Sequence, residues 1–193
     1  MGEVKNILLV GVGGQGTILA SKILSTGLAG AGYDVKMSEV HGMSQRGGNV
    51  STQVRFGKEV FSPIIGKGQA DILVSFESME ALRWLEYLKP DGKVVINNYE
   101  IPSVPILMGK ADYPADVIGA IKAKADTTVI TAGTIAAELG NAKAMNIVLL
   151  GALVKAMKLT EVDWEAEIAK QVKPALVELN VRAFRAGMEA IAE

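Results

Sequence analysis

The chain contains no cysteine and only one histidine, His41, among its 193 residues. The first absence excludes disulfides, thiolate metal sites, a cysteine nucleophile and cysteine-ligated iron–sulfur clusters, so any redox centre the chain serves must sit elsewhere. The second excludes a mechanism that needs two imidazoles. Neither sign of charge is in excess: 20 Lys and Arg stand against 21 Asp and Glu, which leaves no general field to gather nucleic acid or anionic lipid. No nucleic-acid partner is expected. Long apolar runs are missing too. The longest, Ile147 to Val154, falls far short of the roughly 18 residues a membrane span requires. The opening Met1 to Val10 has no basic leader and runs straight into a glycine loop, so it reads as a first strand rather than a signal peptide. A cytoplasmic protein with no membrane partner is the expectation.

What is present suffices for one core. With 49% hydrophobic and 21% charged residues, a chain of this length fills a single hydrophobic centre, and one domain over residues 1–193 is expected. Lys5 to Val10 is a compact β-prone run, Gly11 to Gly16 a glycine turn, and Thr17 to Ala31 carries small and aliphatic residues at helical spacing. Tyr33 to Val40 is a second strand. Asn49 to Arg55 alternates like a third, and Gly57-Lys58 is expected to turn it into a short hairpin through Val60-Phe61. Strand Ala70 to Phe76, helix Ser78 to Leu88, turn Pro90 to Gly92 and strand Lys93 to Asn97 follow. The prolines of Ile101 to Pro114 make an irregular surface passage, before a helix over Ala115 to Lys124 and a last strand over Thr127 to Thr131. From Ala132 onward the pattern is helical. Asn141 can cap a helix Ala142 to Met157 that is apolar on nearly every face, Thr160 to Asp163 has capping-box spacing before Trp164, and Pro174 opens a final helix through Ile191. The sum is an α/β fold: a Rossmann-like, mostly parallel sheet with flanking helices, a hairpin insertion after the second strand and a helical C-terminal part.

Gly11-Val-Gly13-Gly14-Gln15-Gly16 lies between a strand and a helix, the context in which glycines let backbone N–H groups approach a pyrophosphate at a helix start. Glu39, near the end of the second strand, sits where an acid would bind a ribose hydroxyl. An NAD(P)-dependent oxidoreductase is therefore one reading. Against it, Gln15 puts a polar side chain at the loop tip, and the second strand leads directly into His41-Gly42-Met43-Ser44-Gln45-Arg46-Gly47-Gly48. A glycine loop that merely lets the first helix pack closely on the sheet is a further alternative.

In an open α/β sheet the loops after neighbouring strands share one crevice, which would make Gln15 and His41 near neighbours. His41 can donate and accept at neutral pH, Gln45 can do both through its amide, and Arg46 offers a planar fork suited to carboxylate or phosphate. Gly47-Gly48 frees the backbone to turn. The segment reads as a polar contact surface for an anionic ligand, or for a cofactor held by another subunit. The plainer alternative is a satisfied structural histidine, with Arg46 paired to Glu39 or Asp71. Ser44 is a weak nucleophile candidate without an orienting acid, and Glu77 serves most simply to favour the start of the helix that follows it.

Several blocks together resemble one family: Gly11 to Gly16, Lys36 to Gly48, Ser62-Pro63, Ala70-Asp71, Phe76-Glu77 with Glu80 to Arg83, and Asn146 through Leu153. They are similar to the gamma-type module of the 2-oxoacid:ferredoxin oxidoreductases, most closely in enzymes acting on aryl pyruvates such as indolepyruvate, and the likeness covers nearly the whole chain. It implies a share in oxidative decarboxylation with thiamine diphosphate, Mg, iron–sulfur clusters, ferredoxin and coenzyme A. The chain has no cysteine for clusters and no Gly-Asp-Gly stretch for a magnesium diphosphate. The resemblance therefore implies that it binds no cofactor alone, that a larger alpha-type partner subunit carries those groups and the route to ferredoxin, and that coenzyme A arrives as co-substrate. Carried over, it gives His41, Gln45 and Arg46 catalytic or positioning roles, and Gly13, Gly14, Gln15, Gly16, Gly47 and Gly48 the cofactor-facing backbone. A free-standing NAD(P) enzyme, a non-catalytic scaffold, and a pyruvate or ketoisovalerate specificity remain the alternatives.

Overall fold

Apolar residues on both sides of the first strand dictate the architecture. Ile7 and Leu9 point to one face and Leu8 and Val10 to the other, and all four are buried, so the sheet must be covered twice. The computed structural model describes residues 4–42 and 47–191. Its elements are β1 (Lys5–Val12), α1 (Thr17–Gly30), β2 (Asp34–His41), β3 (Asn49–Gly57), β4 (Ala70–Ser75), α2 (Ser78–Trp84), β5 (Leu88–Asn97), α3 (Val104–Leu107), α4 (Val117–Lys122), β6 (Asp126–Ile130), α5 (Ala132–Glu138), α6 (Met145–Met157), α7 (Trp164–Gln171) and α8 (Val177–Glu189).

The six strands lie in the order β2-β3-β1-β4-β5-β6. β1, β4, β5 and β6 pair in parallel, while β3 runs antiparallel to both β1 and β2. The mostly parallel α/β sheet is thus as expected, but the insertion is built differently. β2 and β3 are themselves the antiparallel pair, and the return strand at Val60-Phe61 does not form. Side chains of the neighbouring strands capture that segment's backbone instead: Asp34 accepts from the Val60 N–H (2.8 Å), Gln53 accepts from the Ile65 N–H (2.6 Å), and Arg55 binds the carbonyls of Ser62 (2.9 Å) and Ile64 (3.2 Å). Ile65 then packs into the core on the face covered by α2 and α4.

The opposite face carries α1 and the helical C-terminal part. Asn146 to Val154 of α6 are all buried, in keeping with an apolar pattern on every side. Its crossing with α8 is a backbone contact: a Cβ at Gly151 would meet the Phe184 carbonyl oxygen at 2.0 Å, and one at Gly187 the Val148 carbonyl oxygen at 1.9 Å. Helix α7 starts one turn later than the capping-box spacing suggested. Asp163 is itself the capping residue, accepting from the Ala166 N–H at 3.1 Å, because its carboxylate reaches the first-turn donors directly. Among the described residues no helix is long and apolar enough to cross a membrane.

Candidate functional site

The C-terminal ends of the parallel strands open onto one rim, the usual place for ligands in such sheets. At its centre the chain leaves β1 through a loop that its own side chains stitch shut. Gln15 accepts from the Val12 N–H through Oε1 (2.7 Å) and donates from Nε2 to the Phe76 carbonyl (2.8 Å). Close approach explains Gly11, where a Cβ would lie 2.7 Å from Gln15 Oε1 and 2.8 Å from Phe76 Cβ. Gly16 sits in the left-handed region (φ 79°) as the cap of α1, with Asn146 Nδ2 donating to its carbonyl at 3.0 Å. Gln15, expected as a polar tip for a ligand, is therefore turned into the protein.

The two sequence-predicted loops do meet, by backbone. The Gly13 N–H donates to the Gly48 carbonyl (2.8 Å), and the Gly47 N–H returns to the Gly13 carbonyl (3.4 Å). His41 does not join Gln15. It ends β2 opposite Val50 of β3, while Val12 pairs with Asn49, so β3 stands between them. Its exposed ring has Nε2 4.0 Å from Glu39 Oε2. The other Glu39 oxygen accepts from Ser21 Oγ (3.1 Å) and Thr52 Oγ1 (3.5 Å). Ser44, Gln45 and Arg46 lie outside the described residues.

This geometry does not suit a dinucleotide. Such sites put the acid of the second strand beside the first, whereas β3 moves Glu39 one strand away and local hydroxyls occupy its carboxylate. The Gly13 N–H, which would face a pyrophosphate, is engaged by Gly48.

On the other flank of the glycine loop, a crevice of about 1100 Å³ extends over the ends of β5 and β6, lined by Gly13 to Gly16, Tyr99, Ile101, Thr131, Thr134 and Lys143 among others. Its floor depends on residues that motif reading passed over. Buried Asn97 donates to the Phe76 carbonyl (3.1 Å) and to Met145 Sδ (3.2 Å), and accepts from the Ala132 N–H (3.0 Å). The Phe76 carbonyl thus receives both Gln15 and Asn97. One signal was available: a polar residue closing the apolar run Val94 to Ile96 at the carboxyl end of a strand. A second cavity, about 870 Å³ and floored by Leu159, Trp164 and Phe184, reaches Lys93 at the opposite end of the parallel segment of β5 and has no connection with this rim.

Behind the crevice lies a buried acid pair. Burial raises the Glu80 carboxyl above its ordinary value, with Arg83 pulling the other way and Glu77 adding to the rise. Glu80 Oε2 and Trp84 Nε1 are both buried, and the Trp84 side chain, like Arg83, pulls the Glu80 value down. Burial, reinforced by the hydrogen bond to Glu77, lifts the Tyr113 hydroxyl above its usual range and keeps it a neutral donor.

The model of the pyruvate ferredoxin/flavodoxin oxidoreductase family matches residues 6–190. The chain belongs to that family. It is 40% identical to the indolepyruvate oxidoreductase subunit IorB of Thermococcus kodakarensis, with 97% of this chain and 96% of the relative covered. The IorB subunit of Pyrococcus horikoshii is 39% identical over the same shares. Among solved structures, the gamma subunit of the keto/oxoacid ferredoxin oxidoreductase from Geobacter sulfurreducens superposes with a TM-score of 0.71 at 26% identity, covering 96% of this chain and 97% of that one.

Proposed function

We propose that this chain is a subunit of an indolepyruvate ferredoxin oxidoreductase, inactive by itself, working in the cytoplasm as one module over residues 1–193. The observation that carries the reading is identity of 39–40% with IorB subunits along almost the entire length of both partners. The donor set supports a division of labour. There is no cysteine, so the chain does not fit a thiolate-held iron–sulfur cluster. In this reading a larger alpha-type subunit holds thiamine diphosphate, Mg and the clusters, which supply the decarboxylation and the electron path to ferredoxin.

This chain's own residues bind and orient. The crevice takes coenzyme A as co-substrate by its phosphates, using Lys143, the hydroxyls of Thr131 and Thr134, and the N-terminal turn of α1. The N–H groups of Gly13 and Gln15 are engaged within the rim, so among the loop residues Gly14 and Gly16 are the donors that serve the ligand. Gly47 and Gly48 extend the same lip toward the partner, with His41 and Gln45 positioning polar groups and Arg46 meeting an anionic one.

Co-expression with the cysteine-rich subunit is the test. The expected result is a brown complex that reduces ferredoxin only when indolepyruvate and coenzyme A are both supplied, while the isolated chain does nothing. Oxidation of substrate by the isolated chain, or a melting temperature raised by NAD or NADP, would overturn the reading. Within the complex, Arg46→Ala is expected to raise the KM for coenzyme A; unchanged turnover and affinity would remove Arg46 from the site.

A further inference from the structure

Glu77 is wholly buried at the end of β4, a position where an ionisable side chain persists only with partners. It has three. Oε2 accepts from the Glu80 N–H (2.8 Å), capping α2; Oε1 accepts from the Tyr113 hydroxyl (2.6 Å) and from the Ile101 N–H (3.1 Å). The last two come from far along the chain, out of the passage that leaves β5 and wraps the crevice.

That passage has no core of its own. None of residues 98–116 is buried, α3 is a single turn, and Val104, Leu107 and Met108 are exposed. Its ties to the body of the protein run largely through the start of α2. The Ser78 N–H donates to the Tyr99 carbonyl (2.9 Å), the Met79 N–H donates to Tyr113 Oη (3.0 Å), and the Glu77 carboxylate holds Ile101 and Tyr113. The same stretch supplies Tyr99 and Ile101 to the crevice wall. A buried charge with three directed donors fixes geometry more tightly than apolar contact, since each donor must stay within hydrogen-bond range.

We propose that Glu77 is a positioning residue for coenzyme A: by anchoring Ile101 and Tyr113 to the end of β4 it holds the Tyr99–Ile101 wall in place, without touching the reacting atoms. This rests on the crevice being the coenzyme A site. A carboxylate is required because every partner is a donor, and the amide of glutamine would turn an N–H₂ toward one of them.

The test is steady-state kinetics of the reconstituted complex with Glu77→Gln, Tyr113→Phe and Lys143→Ala. Glu77→Gln and Tyr113→Phe are expected to raise the KM for coenzyme A by roughly tenfold, the scale of one charge-assisted hydrogen bond. The KM for indolepyruvate and the kcat at saturating coenzyme A should stay within about twofold. Tyr113→Phe keeps the carboxylate and two of its donors, so it decides the matter if Glu77→Gln does not fold. Lys143→Ala probes the crevice directly. If it raises the KM for coenzyme A while the other variants match wild type, the role of Glu77 is refuted and the crevice assignment stands. If no variant moves that KM, both fall. A fall in kcat together with raised KM values for both substrates would mark Glu77 as merely structural and refute the proposal.

Discussion

The rim has two halves of unlike construction. On the crevice side, buried polar side chains converge: Gln15, Asn97 and Glu77 tie the ends of β1, β4 and β5 and the start of α5 into one scaffold. On the β2–β3 side, His41 is exposed, its contact with Glu39 is 4.0 Å long, and exposed Val40 lies beside it. Where the supporting side chains Gln15, Asn97 and Glu77 already have protein partners, the shape exists before a ligand arrives, and binding need not order it. The end of β2 leaves the His41 ring exposed, as suits a surface completed by another subunit.

Glycine substitution should expose the contrast most strongly. Gly16 and Gly47 share a φ of 79°, but a Cβ at Gly16 would lie 2.6 Å from Asn146 Nδ2, whereas one at Gly47 would meet nothing within 4 Å. Gly16→Ala is expected to cost about 2 to 4 kcal/mol, from backbone strain plus the lost Asn146 bond. Gly47→Ala should cost only about 1 to 2 kcal/mol of left-handed strain. Equal losses in denaturant unfolding would erase the distinction between the halves. Asn97→Ala comes next, at about 2 to 3 kcal/mol, because it strands the Ala132 N–H in the interior; a midpoint within error of wild type would show that the crevice floor is not held as described.

A pH series sharpens the crevice side further. The Glu80 carboxyl is raised in the folded state above its ordinary value of 4.5, so the native protein holds that proton more tightly than the unfolded chain does. Its stabilising contribution is complete below that value and is lost as pH rises through the raised native value. Glu80→Gln should therefore show a flatter loss of stability between acid and neutral pH than wild type, read from denaturation midpoints; parallel curves would contradict it. The smallest effect on folding is expected at His41: His41→Ala should shift stability by no more than about 0.5 kcal/mol yet lower turnover of the complex. A large destabilisation would place His41 in the framework instead of the lip.

Much of the framework was legible. Six of the expected strands, the glycine turn, the irregular proline passage and the apolar α6 follow from period and punctuation and are found within about five residues of their expected places. The return strand at Val60-Phe61 does not form, and Pro90 to Gly92, expected as a turn, lies inside β5. The rim was legible in outline, since Gly13 and Gly47–Gly48 do meet. The partners of its polar side chains were not. Gln15 reads as a ligand contact until the Phe76 carbonyl, 61 residues away in the chain, is seen to take its amide. Glu77 reads as a helix cap, and is one, until Ile101 and Tyr113 close on its other oxygen.

Alternating apolar residues on both sides of β1, and strands separated by helical stretches, determined a doubly covered, mostly parallel sheet, because burial depends on pattern and pattern is local. Missing cysteine likewise settled, from the letters alone, that no thiolate-held cluster resides here. The tertiary structure alone decided that β3 enters between β2 and β1 and that Gln15, Asn97 and Glu77 tie the strand ends around the crevice together. A hydrogen bond is set by which groups come within about 3 Å, and strand order, which spacing along the chain does not encode, brings those groups together.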